Sequence, residues 1–421
     1  MDAMRVVEIC AGAGGQALGL ERAGFHHELA IELDPTAADT LKLNRPEWTV
    51  FTGDVADREL WKSAHRRSIA LPGEFDLLAG GVPCPPFSIA GKQLGANDER
   101  DLFAWAIEQC GTLRPKALLL ENVRGLSMPR FSGYRQHVLD RLTEFGYVAE
   151  WKLLNANAFG VPQLRPRFVL VALQDDYAPY FAMPGGDTKG TKSVGATLKD
   201  VMGRNGWKGV DAWASAAHGI APTIVGGSKK HGGADLGPTR AKQAWAKLGV
   251  DAMGVANEPP GPNDKFDIGP KLTTEMVSLI QGWNPEWNWK FEGRKTAVYR
   301  QIGNAFPPPV AEAVGLAIKS ALEKTGKRPS GSNSNVQDPI YRVLREANDY
   351  LTNEQIIKRV GLPIEHNELE FNLSRLGRDF DIETKTIGSK TVHKLLKFKA
   401  FTGQDDHMRH DLFLKNRAKI S

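Results

Sequence analysis

Short, almost wholly apolar runs alternate with amphipathic stretches over the first half of the chain. "MRVVEIC", "ELAIELD", "WTVFTGDV", "FDLLAGG", "KALLLENV" and "RFVLVAL" are strand-like. "PTAADTLKLN", "DLFAWAIEQCGTL" and "YRQHVLDRLTEFGY" lie between them and carry helical periodicity. This alternation predicts βαβ units and a parallel sheet, and strands without polar positions predict helices on both of its faces.

The pattern then changes. From about 176 to 271 periodicity is weak, and the chain is rich in Gly, Pro, Lys and Thr, as in "PGGDTKGTKSVGATLKD" and "APTIVGGSKKHGGADLGPTR". A loop-rich inserted domain is expected there. Residues 1–175 and 272–325 then form the two parts of one α/β domain, the second carrying helical "LTTEMVSLIQGW" and "VYRQIGNAFPPPVAEAVGLAIKSALEK". A polar, Gly/Ser-containing stretch at 326–337 is a linker. Residues 338–421 form a small separate domain. "DPIYRVLREANDY" predicts one helix. Thr352 and Gln355 stand at capping-box spacing before a second, with Gly361 as its stop. "NELEFNLSRLG" predicts a third helix, and "FDIETKTIGSKTVHKLLKF" a two-strand wing.

Composition narrows the class. The 421 residues are 41% hydrophobic and 24% charged, a balance that suits two or three soluble domains with ample core. No apolar run reaches membrane-spanning length, and "MDAMRVVEIC" lacks the apolar segment of a signal peptide, so a cytoplasmic protein is expected. Cys10, Cys84 and Cys110 are too few and scattered for a disulfide framework or a structural zinc site. The net charge of +5 is compatible with a polyanionic partner.

Chemistry gathers at the predicted strand ends, where open α/β sheets bind ligands. The first strand runs into "CAGAGGQALGL", a Gly-rich turn that lets backbone approach a ligand closely. The next ends in Glu32, about twenty residues on, where an acid holds ribose hydroxyls. The third ends in Gly53-Asp54, an acceptor suited to the exocyclic amine of adenine. A solvated charge for Glu32 and a helix cap for Asp54 are the plainer readings. The fourth delivers "GGVPCPPFS", whose prolines hold the Cys84 thiol in a defined place. A buried packing cysteine is the plainer reading here, and the one adopted for Cys10 and Cys110. The fifth ends in "ENV", which puts Glu121 on the same sheet edge as Cys84.

"PCPPFS", "ENV", "QLRPRFVLV" and "RQIGNAFPPPVAEAVG", in this order, resemble the DNA (cytosine-5)-methyltransferases over roughly residues 4 to 322, the inserted segment excepted. The resemblance implies a Rossmann-like S-adenosylmethionine-dependent methyltransferase fold, with the insert as target-recognition domain and a winged-helix-like C-terminal addition. It implies that the Cys84 thiolate adds to C6 of a flipped cytosine, that Glu121 contacts N3 and the amino group, and that Arg165 assists near Cys84. S-adenosylmethionine, without a metal, would be held by Cys10, Ala11, Gly12, Gly14, Gly15, Glu32, Leu33, Asp54, Val55 and Asn304. The family usually has Phe where Cys10 stands, so that one contact is expected to differ. Ser88, Lys92 and Gln93 would approach DNA from the loop after Cys84. Arg167 is assigned to DNA, or to an ion pair with a carboxylate. Lys229, Lys230 and Arg240 would contact DNA from the insert.

The expected partner is double-stranded DNA, for a monomeric enzyme protecting host DNA alongside a cognate restriction endonuclease. An RNA cytosine-5 methyltransferase is a second reading, and the sizeable insert argues against it. The C-terminal domain has two readings of equal weight. One is a DNA-binding accessory or regulator, the other a packing module.

Overall fold

The computed structural model describes residues 3–82, 100–226, 234–328, 337–377 and 379–398. The α/β part comprises β1 (Met4–Ile9), α1 (Gly15–Arg22), β2 (Phe25–Glu32), α2 (Pro35–Asn44), β3 (Val50–Thr52), α3 (Arg58–Arg66), β4 (Leu77–Gly80), α4 (Arg100–Leu113), β5 (Ala117–Val123), α5 (Ser132–Glu144), β6 (Tyr147–Asn155) and β7 (Pro166–Gln174). The insert contributes α6 (Val194–Met202), α7 (Val210–Ala216) and α8 (Thr239–Ala246), followed by α9 (Thr274–Ile280), α10 (Lys295–Asn304) and α11 (Pro308–Leu322). The C-terminal unit is α12 (Pro339–Ala347), β8 (Leu351–Thr352), α13 (Asn353–Val360), α14 (His366–Leu376), β9 (Phe380–Ile387) and β10 (Lys390–Phe398).

One seven-stranded sheet has the order β3-β2-β1-β4-β5-β7-β6. Five strands are parallel, as the pattern predicts, and each packs apolar residues on both faces. One face carries Leu20, Phe25, Val310 and Val314, from the packing of α1 and α11 on the strands. The other carries Phe103, Trp105, Tyr134 and Leu139 from α4 and α5. The parallel expectation fails at β7, which runs antiparallel to β5 and β6. Only a short connection separates β6 from β7. Returning parallel would need a crossover long enough to hold a helix, so the chain turns back instead. β6 was missed as a strand because it covers an edge, and apolar and polar positions mix along "YVAEWKLLN".

The insert forms three short helices, with no named strand among the described residues. Its core does not stop at residue 271. Trp213, Trp245 and Leu272 pack with Met276 of α9, Tyr299 and Ile302 of α10, and Leu18 of α1. The C-terminal unit has a core of its own, in which Tyr341, Leu344, Ile356, Leu369 and Phe380 are buried. Its helices and the antiparallel sheet β8-β10-β9 give a winged-helix arrangement. Thr352 and Gln355 make the expected capping box, and Gly361 ends α13 with φ +68°. Among the described residues, no helix is long and apolar enough to cross a membrane.

Candidate active site

The glycine turn after β1 is wound through positive φ at alternate positions: Cys10 at +50°, Gly12 at +56° and Gly14 at +89°. Three contacts fix it, two to β2 and one within the turn. Ala11 N donates to Ile31 O (3.1 Å), Gly14 N to Ala11 O (3.1 Å), and Gly12 N to Glu32 Oε2 (2.7 Å). The other Glu32 oxygen accepts from Asp34 N at 2.8 Å. Glu32 is therefore a bonded carboxylate at a strand end and not a solvated charge. Burial raises its carboxyl above the ordinary range, against the hydrogen bonds from Asp34 and Gly12.

A Cβ at Gly12 would meet nothing within 4 Å, whereas one at Gly14 would strike Trp289 and Leu41, and one at Gly15 the Phe306 carbonyl. The turn is thus packed from behind and open at Gly12. The open side, with Glu32 below it, fits a bound nucleoside. Leu33 beside it is 42% exposed, enough apolar surface for a ligand to cover. Asp54 Oδ1 accepts from Ala56 N (2.9 Å), which is a turn-capping bond. Val55 is buried in the core, and its carbonyl accepts from Trp61 Nε1 (2.7 Å). Asn304 is the last residue of α10. It is exposed, and its amide oxygen lies against Gly226 of the insert. Its neighbours Ala305 and Phe306 are the ones that touch the glycine turn.

The second half of the site lies at the ends of β4 and β5. Glu121 is 8% exposed, and its Oε1 stands 2.5 Å from Arg167 Nε. Burial raises the Glu121 carboxyl, while Arg167 and then Arg165 oppose the rise. Arg167 is itself 8% exposed, so its assignment to DNA is corrected to the carboxylate pairing. Antiparallel register explains the pairing, because β7 runs back along β5 and sets Val123 opposite Arg167.

Arg165 lies elsewhere. It is fully buried, and its guanidinium donates to the carbonyls of Ile224 (2.7 Å), Gly303 (2.7 Å) and Ala305 (2.9 Å). Gln163 completes this knot, giving its amide protons to Gln281 Oε1 (2.6 Å) and Ile280 O (3.2 Å) while accepting from Ile224 N (2.9 Å). In this geometry Arg165 ties the insert to the end of α10, and Arg167 is the arginine on Glu121.

Gly81 joins the two halves. A Cβ built there would lie 3.6 Å from the Cys10 carbonyl oxygen and 3.7 Å from Glu121 Oε2. Asn122 Nδ2 donates to Val82 O (3.3 Å), which pins the chain where it leaves β4 toward Cys84. Cys84, Ser88, Lys92 and Gln93 lie outside the described residues, as do Lys229 and Lys230. Arg240 is exposed on the first turn of α8. Cys110 is buried, with its thiol pushed up by burial, which suits a packing residue. Among the described residues, no group of His, Cys, Asp and Glu could hold a metal ion.

Sequence reasoning missed Trp289, Asn122, Gly81 and the Gln163–Gln281 contact. Trp289 had a signal, since Trp283, Trp287, Trp289 and Phe291 crowd into nine residues.

Known proteins match this architecture. A family model for C-5 cytosine-specific DNA methylase matches residues 4–320. Type II methyltransferase M.NaeI of Lentzea aerocolonigenes is 62% identical over all of both chains. Type II methyltransferase M.NgoMIV of Neisseria gonorrhoeae is 48% identical over 76% of this chain and 98% of its own. A crystal structure from E. coli, described as a prophage-encoded DNA modification methyltransferase, covers 76% of this chain and 100% of its own. Its TM-score is 0.53 at 19% identity, a likeness of fold. With the turn at Gly12, the Glu121–Arg167 pair and these matches in hand, the chain belongs to the C-5 cytosine-specific DNA methylase family.

Proposed function

We propose that Cys84 is the nucleophile of this methylase, that Glu121 and Arg167 recognise its cytosine, and that it is the modification enzyme of a restriction–modification pair. As a family member the chain methylates C5 of cytosine in DNA. The relatives' description as Type II methyltransferases supports the modification role. The observation that carries the site assignment is the buried Glu121–Arg167 pair, one Cβ slot from the turn that binds the methyl donor.

The cytosine must leave the helix, because its C5 and C6 are inaccessible in a stacked duplex. The Cys84 thiolate then adds to C6, forming an S–C6 bond and moving the C5–C6 π pair toward C5. Glu121 takes N3 and the exocyclic amine. Burial raises its carboxyl, which favours holding a proton for N3 as negative charge develops there. Arg167 fixes the carboxylate and adds positive charge beside it. S-adenosylmethionine supplies the methyl group. Gly12 and Glu32 would hold its nucleoside end. A base then removes the C5 proton, the C–H pair re-forms the C5–C6 double bond, and Cys84 leaves as thiolate. This covalent route divides one difficult substitution into easier steps. Arg165 acts at one remove, by holding Ile224 of the insert on α10. The reading is of a cytoplasmic monomer acting on duplex DNA.

Duplex DNA with 5-fluorocytosine in place of cytosine tests this, because fluorine blocks the final elimination. With S-adenosylmethionine present, the protein is expected to form a complex that survives denaturing electrophoresis, and Cys84→Ser is expected to form none. Folded wild-type protein that traps no DNA, or a serine variant that traps equally, would refute the nucleophile.

A further inference from the structure

The chain between α9 and α10 is a tryptophan-bearing strap laid over the back of the glycine turn. Trp289 Nε1 donates to Ala13 O at 3.0 Å. The same ring fills the space where Gly14 would carry a side chain, with its Cζ2 at that position, and Leu41 fills the rest. Arg45, held by Glu21 through two hydrogen bonds of 2.6 Å, stands 5.2 Å over the ring.

The strap is fastened to α2 at Lys290 and Glu292, just after Trp289. Asn44 donates to Lys290 O (2.7 Å) and accepts from Lys290 N (2.8 Å). Thr40 Oγ1 accepts from Glu292 N (2.9 Å) and donates to Gln301 Oε1 (2.7 Å), and Gln301 returns a bond to Glu292 O (2.8 Å). Side chains of α2 thus supply backbone partners to an irregular segment that makes few of its own.

A turn with positive φ at Cys10, Gly12 and Gly14 is a costly conformation, and for Cys10 a strained one. Bonds to β2 hold Ala11 and Gly12, a bond within the turn holds Gly14, and Trp289 holds the carbonyl of Ala13 from the strap. We propose that Trp289 is a positioning residue for the methyl donor. It clamps the glycine turn from behind so that Gly12 stays open toward the nucleoside, and it couples the core of the insert to cofactor affinity. The coupling follows from the strap's route. Trp283 at its start and Tyr299 after it belong to the core shared with the insert. The inference rests on the cofactor reading given above.

Calorimetric binding of S-adenosylhomocysteine to the full-length protein tests it, with steady-state kinetics at varied S-adenosylmethionine. Trp289→Phe keeps the ring and loses the N–H, and is expected to weaken binding by about 3- to 10-fold. Trp289→Ala loses both, for a weakening of about 10-fold or more. In both, KM for the methyl donor rises while kcat at saturation stays within about twofold, since no reacting atom is touched. Trp287→Ala is the control. That ring stacks under Arg22 of α1 and is not among the groups that fill the Gly14 position, so affinity is expected to fall by less than about twofold. Asn44→Ala, which unfastens the strap at Lys290, is expected to weaken binding by about threefold, and it keeps the idea testable if Trp289→Ala does not fold. A folded Trp289→Phe and Asn44→Ala that both bind as tightly as wild type would overturn the clamp, as would a kcat loss without a change in affinity. Wild-type protein that does not bind S-adenosylhomocysteine would overturn the cofactor reading itself.

Discussion

The insert and the C-terminal unit are both additions to the seven-stranded sheet, and they are attached in opposite ways. The insert has no closed core. Trp213 and Trp245 pack in one cluster with Met276 of α9, Tyr299 of α10 and Leu18 of α1, the helix that follows the glycine turn. The knot of Gln163, Arg165 and Gln281 fastens it with buried hydrogen bonds. The C-terminal unit has a closed core of its own and packs on α5. Its dock joins ring packing of Phe398 on Tyr134 and His137 to a set of polar contacts. Asp338, 1% exposed, accepts from Ser132 Oγ (2.7 Å) and Arg375 Nη2 (2.9 Å), and Gln337 meets Arg135 and Gln136. Arg345 pairs with Asp140 and Glu144. Shared core holds the geometry of an addition to that of the active site. An addition with its own core can be kept or lost without unmaking the site.

The largest break in that comparison is expected from Trp245→Ala. The side chain is fully buried in the shared core, so its loss costs about 3–5 kcal/mol. Unfolding of the insert and loss of S-adenosylhomocysteine binding should occur in one denaturant transition. Two separate transitions would mean that the insert is independent after all.

Asp338→Ala comes next. It strands Arg375 and Ser132 at the dock, at a cost of about 2–4 kcal/mol, confined to the C-terminal unit. Hydrogen exchange of α12 to α14 should speed up, while exchange in β1 to β5 and cofactor affinity stay as in wild type.

The third expectation is pH-dependent. His137 of α5 is buried against Phe398 (4.3 Å between ring centres), Phe380 and Tyr341. Burial pushes its pKa down to about 4, Arg345 and Arg141 push the same way, and Glu144 opposes. The fold therefore favours the neutral ring, and the unfolded chain takes up the proton first. The contribution is complete above about pH 6.5 and falls away toward pH 4, with roughly 2 kcal/mol lost by pH 5. Thermal melts should show the C-terminal unit loosening over that window, and His137→Gln should flatten the slope. A C-terminal transition insensitive to pH between 6.5 and 4.5 would contradict this.

Much of the site was legible because strand ends are written locally. Apolar runs that stop at a glycine or a carboxylate placed Gly12, Glu32, Glu121 and the Cys84 loop on one edge of the sheet. The capping box at Thr352 was equally local, since its two partners are three residues apart. The two arginines were not separable in this way. Arg165 and Arg167 sit in the same short motif, and only the antiparallel return of β7 decides which meets Glu121 and which is buried under the insert. Asn304 shows the same limit, because its side chain is set by where Gly226 comes to rest.

By itself, then, the sequence determined what depends on near neighbours: the strands and their ends, the caps, the bend at the glycine turn, and the kinds of groups available for chemistry. The tertiary structure decided what depends on contacts between residues tens or hundreds of positions apart. These are the Arg167–Glu121 pair, the strap that brings Trp289 to Ala13 across 276 positions, and the merging of the insert's core with α9 and α10. Periodicity reports which face of an element is buried, and long-range packing alone settles what that face is buried against.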